Sequence, residues 1–252
     1  ADLNPSGADY SAVDIAVIDT GIWYDTTAGT SHEDLRLRWI TDCTGAILYP
    51  MFGNCTPGGV DGNGHGTHVA GIAAACDNGI GSRGIAPCAT LWSFKAINDD
   101  GTGFLGSILA AVDLIAANAD EIEVANMSLT LTESQALNDA IDAAVAAGVV
   151  FVVAAGNDSQ DASLSSPASA DSAITVSSVT DYDGLPGGLA PATCYSDVDD
   201  RLAGYSNFGP KIDIAAPGTC IYSTWLGNTY HTATGTSMAS PTVAGAAARY
   251  LH

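Results

Sequence analysis

Three short segments of this 252-residue chain carry side chains that could build a covalent catalyst. Gly235-Thr236-Ser237-Met238-Ala239-Ser240-Pro241 runs into the small-residue helix pattern Thr242-Val243-Ala244-Gly245-Ala246-Ala247-Ala248. It places a serine where a loop becomes a helix, and there the free N–H groups and positive helix end favour an oxyanion. Alone, such a serine is most often a helix cap. A hydroxyl is a weak nucleophile at neutral pH and needs an adjacent base. Asn63-Gly64-His65-Gly66-Thr67-His68-Val69-Ala70-Gly71 supplies one: His65 opens a helix and can take a proton, then return it to a leaving group. A helix N-terminus predicts that this ring rests neutral. Val17-Ile18-Asp19-Thr20-Gly21 adds a carboxylate at the end of an apolar strand, able to orient the imidazole and stabilise its cation.

The elements around these segments can bring them together. Apolar runs at 13–18, 89–95, 122–128, 149–154, 173–179 and 212–215 read as strands. Helical patterns occupy 65–75, 105–117, 132–147 and 237–250. In the third helix, Thr132 and Gln135 are spaced as a capping box, and Gly148 is a stop. Strand–helix alternation with continuous apolar strands predicts an α/β fold of three layers, a mostly parallel sheet covered by helices on both faces. The span 1–252 reads as one domain without linker or repeat. Ligands of such sheets bind at the carboxyl ends of strands. Asp19 and Asn157 fall just past strand ends, while His65 and Ser237 begin helices, so all four can meet at one edge.

These motifs, in the order Asp19, His65, Ser237, resemble the subtilisin-like serine protease family, and the resemblance covers almost the whole chain. It implies a secreted serine endopeptidase of broad specificity acting on polypeptides. It also implies a monomer that has lost a signal and an N-terminal pro-segment serving as folding aid and inhibitor. It assigns the base to His65 and makes His68 a buried structural histidine. Asn157, in Ala154-Ala155-Gly156-Asn157, resembles the family's side-chain oxyanion donor. Ser128, Leu129 and Thr130 resemble one wall of the P1 pocket, and Ala154, Ala155 and Gly156 the other. Where the family usually continues with two glycines, this chain has Thr130-Leu131. Gly101, Thr102 and Gly103 resemble the loop that pairs with an extended substrate. The pattern stops at His252, soon after the serine helix, where members usually continue for some tens of residues.

The resemblance also implies structural calcium. Cys76-Asp77-Asn78-Gly79-Ile80-Gly81-Ser82 resembles a loop wrapping Ca²⁺ with oxygen ligands, which suit this hard cation. The expected set is Asp34, Asn78, the carbonyls of Cys76, Ile80 and Ser82, and an N-terminal residue such as Asp2. A second candidate joins Asp213 to the carbonyls of Asp171 and Ala173. The run Asp197, Asp199, Asp200 either holds a further ion or faces water.

Composition limits the alternatives. With 28 acidic against 7 basic side chains and a net charge of −21, nucleic acid is an unsuitable partner. No apolar run reaches the roughly 20 residues of a membrane span. An acidic, lysine-poor surface fits high salt, calcium binding, or simply an extracellular protein. Six cysteines without a C-x-x-C pair suit an oxidising compartment. Pairing neighbours gives Cys43 with Cys55, Cys76 with Cys88, and Cys194 with Cys220. Two other functions keep the same fold: a non-catalytic binding protein, against which the intact Asp19, His65, Asn157 and Ser237 argue, and a transpeptidase or peptide cyclase, which needs a water-excluding cover.

Overall fold

The computed structural model describes residues 9–45 and 55–252. Seven strands form the main sheet: β1 Asp14–Asp19, β2 Leu37–Asp42, β3 Thr90–Lys95, β4 Val124–Met127, β5 Val150–Ala154, β6 Ile174–Thr180 and β7 Ile214–Pro217. They lie in the order β2-β3-β1-β4-β5-β6-β7, and every neighbouring pair is parallel. Short antiparallel pieces, Thr56–Pro57 and Arg201–Leu202, extend β2 and β6. A hairpin of β8 Ile221–Trp225 and β9 Thr229–Ala233 stands apart.

Four helices complete the layers: α1 His65–Ala74, α2 Leu105–Ala116, α3 Gln135–Ala146 and α4 Thr236–Leu251. Side chains alternate across a strand, and β1 shows the result. Ile15 and Val17 join the core beneath α1 and α4, whereas Ala16 and Ile18 join the one beneath α2 and α3. Both faces are thus buried, which is why the strands read as unbroken apolar runs. The three-layer α/β expectation holds, and each expected disulfide is present: Cys43–Cys55, Cys76–Cys88 and Cys194–Cys220.

One local expectation fails. Leu131–Thr132 pairs antiparallel with Ser165–Ser166 instead of opening the third helix. That helix starts at Gln135, its N-cap Ser134 makes no side-chain capping bond, and Gln135 reaches forward to Asp139. A capping box is a local signal, and here a distant pairing partner claimed the backbone first.

Helices α1 and α4 touch through small residues. A β-carbon at Gly245 of α4 would stand 2.7 Å from Ile85 Cβ and 2.9 Å from the Ala73 carbonyl oxygen of α1. Alanine gains about 1 kcal/mol of helix propensity over glycine, but overpacking against a backbone atom costs about 1–3 kcal/mol. Gly245→Ala should therefore lower the melting temperature, and a rise on thermal unfolding would show that the helices can part freely.

Candidate active site

Asp19 ends β1 at the sheet's carboxyl edge and is 2% exposed. Its Oδ1 accepts hydrogen bonds from the Thr20 N–H and from His65 Nδ1, each at 2.7 Å. With Nδ1 donating, the neutral imidazole keeps its lone pair on Nε2, the form a base requires. Burial disfavours the charged ring, but the Asp19 carboxylate outweighs it, with a further contribution from Asp61. The pKa of His65 is held above the ordinary 6.5. In direct hydrogen-bond contact the full carboxylate charge exceeds the partial charge of the helix N-terminus, which works in the opposite direction.

The placement of His65 depends on a residue that the motif reading passed over. The N-cap of α1 is Gly64, in left-handed backbone with φ 106° and no side chain to cap with. Asp61 performs that work. Its Oδ1 accepts from the N–H groups of Asn63 and Gly64 and from Thr20 Oγ1, each at 2.9 Å. Its Oδ2 accepts from Thr67 N–H at 3.0 Å and Thr67 Oγ1 at 2.6 Å. Thr20 Oγ1 in turn accepts from the Gly66 N–H at 2.9 Å. The turn after Asp19 is thereby locked to the helix start that carries His65. Lys95 adds a strut: its buried ammonium donates to the Thr20 carbonyl and to Asp99 Oδ1, both at 2.6 Å. The sequence offered weak signs of both, an acid four residues before His65 and one of only two lysines at a strand end.

His68, three residues on, is fully buried. Its Nε2 lies 3.1 Å from the Ile221 carbonyl oxygen and 3.0 Å from that of His231. Burial lowers its pKa to about 4, so the ring is a neutral strut between α1 and the β8–β9 hairpin.

Ser237 is the second residue of α4, where backbone N–H groups have no partner within the helix. Asn157 follows β5, and its Oδ1 accepts from Thr236 N–H at 2.8 Å and Thr236 Oγ1 at 3.0 Å. Its Nδ2 is left free to face outward. A β-carbon built on Gly235 would lie 3.5 Å from Asn157 Nδ2 and 3.7 Å from the Ser237 backbone nitrogen. Both nitrogens therefore lie on the same side of Gly235. The Ser237 hydroxyl donates to the Ser128 carbonyl at 3.2 Å, rather than to His65. Ser128 Oγ donates back to the Ser237 carbonyl at 2.8 Å, and Ser240 Oγ donates to Asn126 Oδ1 at 2.7 Å. The segment after β4 is thus laced to α4.

A cavity of about 300 Å³ opens beside Asp19 and His65, lined by Ile97, Ile108, Leu129 and Leu131 among others. Gly101, Gly103, Ser128 and Thr130 also line it. Thr102 turns its hydroxyl to Asp100 instead, at 2.6 Å. Ala154, Ala155 and Gly156 are buried and lie off this cavity.

Of the expected calcium ligands, Asp2 lies outside the described residues. Asp34 is fully buried. Its Oδ2 accepts from Ser82 N–H at 3.1 Å and the Tyr230 hydroxyl at 3.2 Å. Its Oδ1 and Ser82 Oγ are buried with no protein partner. Burial pushes the Asp34 carboxyl above its ordinary range. Asn78 turns Oδ1 to the Ile80 N–H at 3.1 Å, and Cys76 N–H binds the Asp34 carbonyl at 2.8 Å. At the second candidate, Asp213 Oδ2 accepts from Thr175 N–H at 2.9 Å, and the Asp171 side chain, whose carbonyl was the expected ligand together with that of Ala173, pairs with Lys211. The acidic run resolves differently from the expected grouping. Asp197 and Asp200 accept backbone N–H groups of Gly204 and of Gly187 and Gly188. Asp199 instead meets Asp181 and Asp183, with ligand oxygens within 4.8 Å of one another.

Comparison with known proteins gives a consistent picture. The model of the subtilase family matches residues 11–252. Subtilisin DY of Bacillus licheniformis is 37% identical over 243 residues, 95% of this chain and 76% of that protein. Subtilisin BL of Lederbergia lenta is 38% identical over 239 residues, covering 94% and 76%. Among solved structures, a cold-adapted subtilisin-like serine proteinase superimposes with a TM-score of 0.75 at 32% identity, over 98% of this chain and 78% of that one. The S41 psychrophilic protease gives 0.78 at 33%, over 96% and 78%.

The contacts of His65 fix a titration. Its ring should show a midpoint above 6.5 by NMR, with Asp19→Asn lowering it strongly and Asp61→Asn less. Chemistry that uses the neutral ring should rise with pH through that midpoint. A midpoint at or below 6.5 in the native chain would contradict the charge balance described above.

Proposed function

Because the chain belongs to the subtilase family and is a serine endopeptidase of that type, we propose that it cleaves peptide bonds through an acyl-enzyme formed on Ser237. The observation that carries this reading is the 2.7 Å bond from His65 Nδ1 to Asp19. It leaves a single lone pair, on Nε2, at the edge where α4 presents Ser237. In the reaction the Ser237 hydroxyl leaves the Ser128 carbonyl, gives its proton to His65 Nε2 and attacks the scissile carbonyl carbon. The Ser237 N–H and Asn157 Nδ2 hold the resulting oxyanion. The intermediate collapses as His65 passes the proton to the departing amine. Water repeats the sequence on the ester and frees the serine. The imidazolium formed midway faces Asp19, which stabilises it.

The substrate is a polypeptide in extended form, paired to Gly101–Gly103 on one side and to Ser128–Thr130 on the other. Main-chain pairing of this kind tolerates many side chains, so most substrate positions are read loosely. The described chain acts as one catalytic domain. Its three disulfides suit an oxidising compartment, which favours secretion. No helix among the described residues is long and apolar enough to cross a membrane.

A structural calcium ion belongs in the Asp34 loop. The buried, unpartnered Asp34 Oδ1 and Ser82 Oγ fit a hard cation that takes oxygen ligands. Asp34, Asn78 and the carbonyls of Cys76, Ile80 and Ser82 would hold it, and the ion would neutralise a buried charge.

Ser237→Ala should keep the native melting temperature, lose labelling by a fluorophosphonate and lower casein hydrolysis by about 10³-fold or more. Cleavage within tenfold of the native rate would sink the assignment. Removing calcium with a chelator should lower the melting temperature by several degrees, since an ion bound only by the folded state stabilises it. An Asp34→Asn, Asn78→Ala double variant should lose most of that response. An unchanged melting curve together with no metal found by elemental assay would rule the site out.

A further inference from the structure

We propose that Thr130 closes the P1 pocket of this protease, restricting it to substrates with glycine, alanine or serine before the scissile bond. The inference rests on the proposed function, because it takes the segments after β4 and β5 as the two walls flanking that side chain. A side chain held between two walls needs carbon contacts of about 3.5–4.0 Å on each of its sides. The wall atoms must then stand roughly 7–8 Å apart. Here Thr130 Cγ2 lies 3.3 Å from where a β-carbon on Gly156 would stand, so it is no more than about 5 Å from the real Gly156 Cα, short of that separation. The threonine methyl already fills the space that an inserted side chain would need.

Burial points the same way. Ala154 and Ala155 are 1% and 0% exposed, and Gly156 is buried, while Thr130 is exposed. A wall of an open pocket faces water, but this wall is covered. From within, the Asn207 side chain packs against Gly156 and donates to the Ala155 carbonyl at 2.9 Å. The Thr130 methyl approaches the same point beside Gly156. The lid is anchored, since Leu131, next in the chain, pairs with Ser166. The open cavity runs along the 128–131 segment toward Ile97 and Ile108, not between the two walls. The breadth expected elsewhere along the substrate therefore stops at P1, where volume is rationed by one methyl group.

The test is a peptide series differing only at P1: glycine, alanine, valine, phenylalanine and lysine. Fluorophosphonate labelling serves as the check that each protein is folded and its serine reactive. The native chain should prefer alanine to phenylalanine by at least about tenfold in kcat/KM. Thr130→Gly should raise the phenylalanine-to-alanine ratio of kcat/KM by about tenfold or more, with labelling retained as the check that the serine still reacts. Thr130→Ser, which removes only the methyl, should move the ratio the same way by less. Native cleavage of phenylalanine as fast as alanine would overturn the proposal, as would a ratio unmoved in labelled Thr130→Gly and Thr130→Ser. Failure of the native chain to label or to cut any peptide would instead overturn the protease reading, and the P1 restriction with it.

Discussion

Burying the Asp61 carboxylate removes a charge from water, and only a full set of donors offsets that cost. The five donors it gathers come from Thr20, Asn63, Gly64 and Thr67. Three of those residues begin or precede α1, and the fourth is the turn beyond Asp19. Satisfying one buried anion thus joins a strand end to a helix start. The 2.7 Å contact between Asp19 and His65 follows from this junction. Neither residue needs a long or flexible loop to find the other.

The α4 side of the site is built by neutral groups instead. Asn157 is oriented by Thr236, Ser128 by Ser237, and Asn126 by Ser240. Each link runs from α4 to β4 or to a segment leaving β4 or β5, so the helix that carries Ser237 also aligns Asn157, Ser128 and Asn126. The β8–β9 hairpin braces the opposite flank: Ser223 and Thr224 donate to the His68 and Thr67 carbonyls at 2.8 and 2.7 Å. Neutral hydrogen bonds serve here because no charge must be balanced, and they keep the region near Ser237 open to a developing negative charge.

Much of this was legible in the chain. Asp19 at a strand end, and His65 and Ser237 at helix starts, are local signals. Burial on both faces gives the strands their unbroken apolar runs, so the parallel sheet could be read as well. The disulfides join sequence neighbours, and that pairing was recoverable by proximity. What escaped depends on contacts between distant segments. Thr132 looked like a helix cap until Ser165 paired with it. Asp61 and Lys95 look ordinary until Thr20 is brought against both. The charge preference of His65 follows from a distance to Asp19 that no helix rule contains. Thr130 stood out as a departure from a glycine pair, but its effect required knowing what lies opposite.

The two histidines of α1 are shifted in opposite directions, and this gives them opposite effects on the fold in acid. His65 is held above 6.5, while His68 is held near 4. On acidification of the folded chain His65 gains its proton before His68 does. His68 resists protonation in the folded chain but not in the unfolded one. The His68 contribution to stability is therefore present above the unfolded value near 6.5 and drains away between there and about 4, whereas protonation of His65 beside Asp19 adds stability as the pH falls. Two rings on one helix thus pull its acid stability in opposite directions, and their balance, not either ring alone, sets how α1 answers acid.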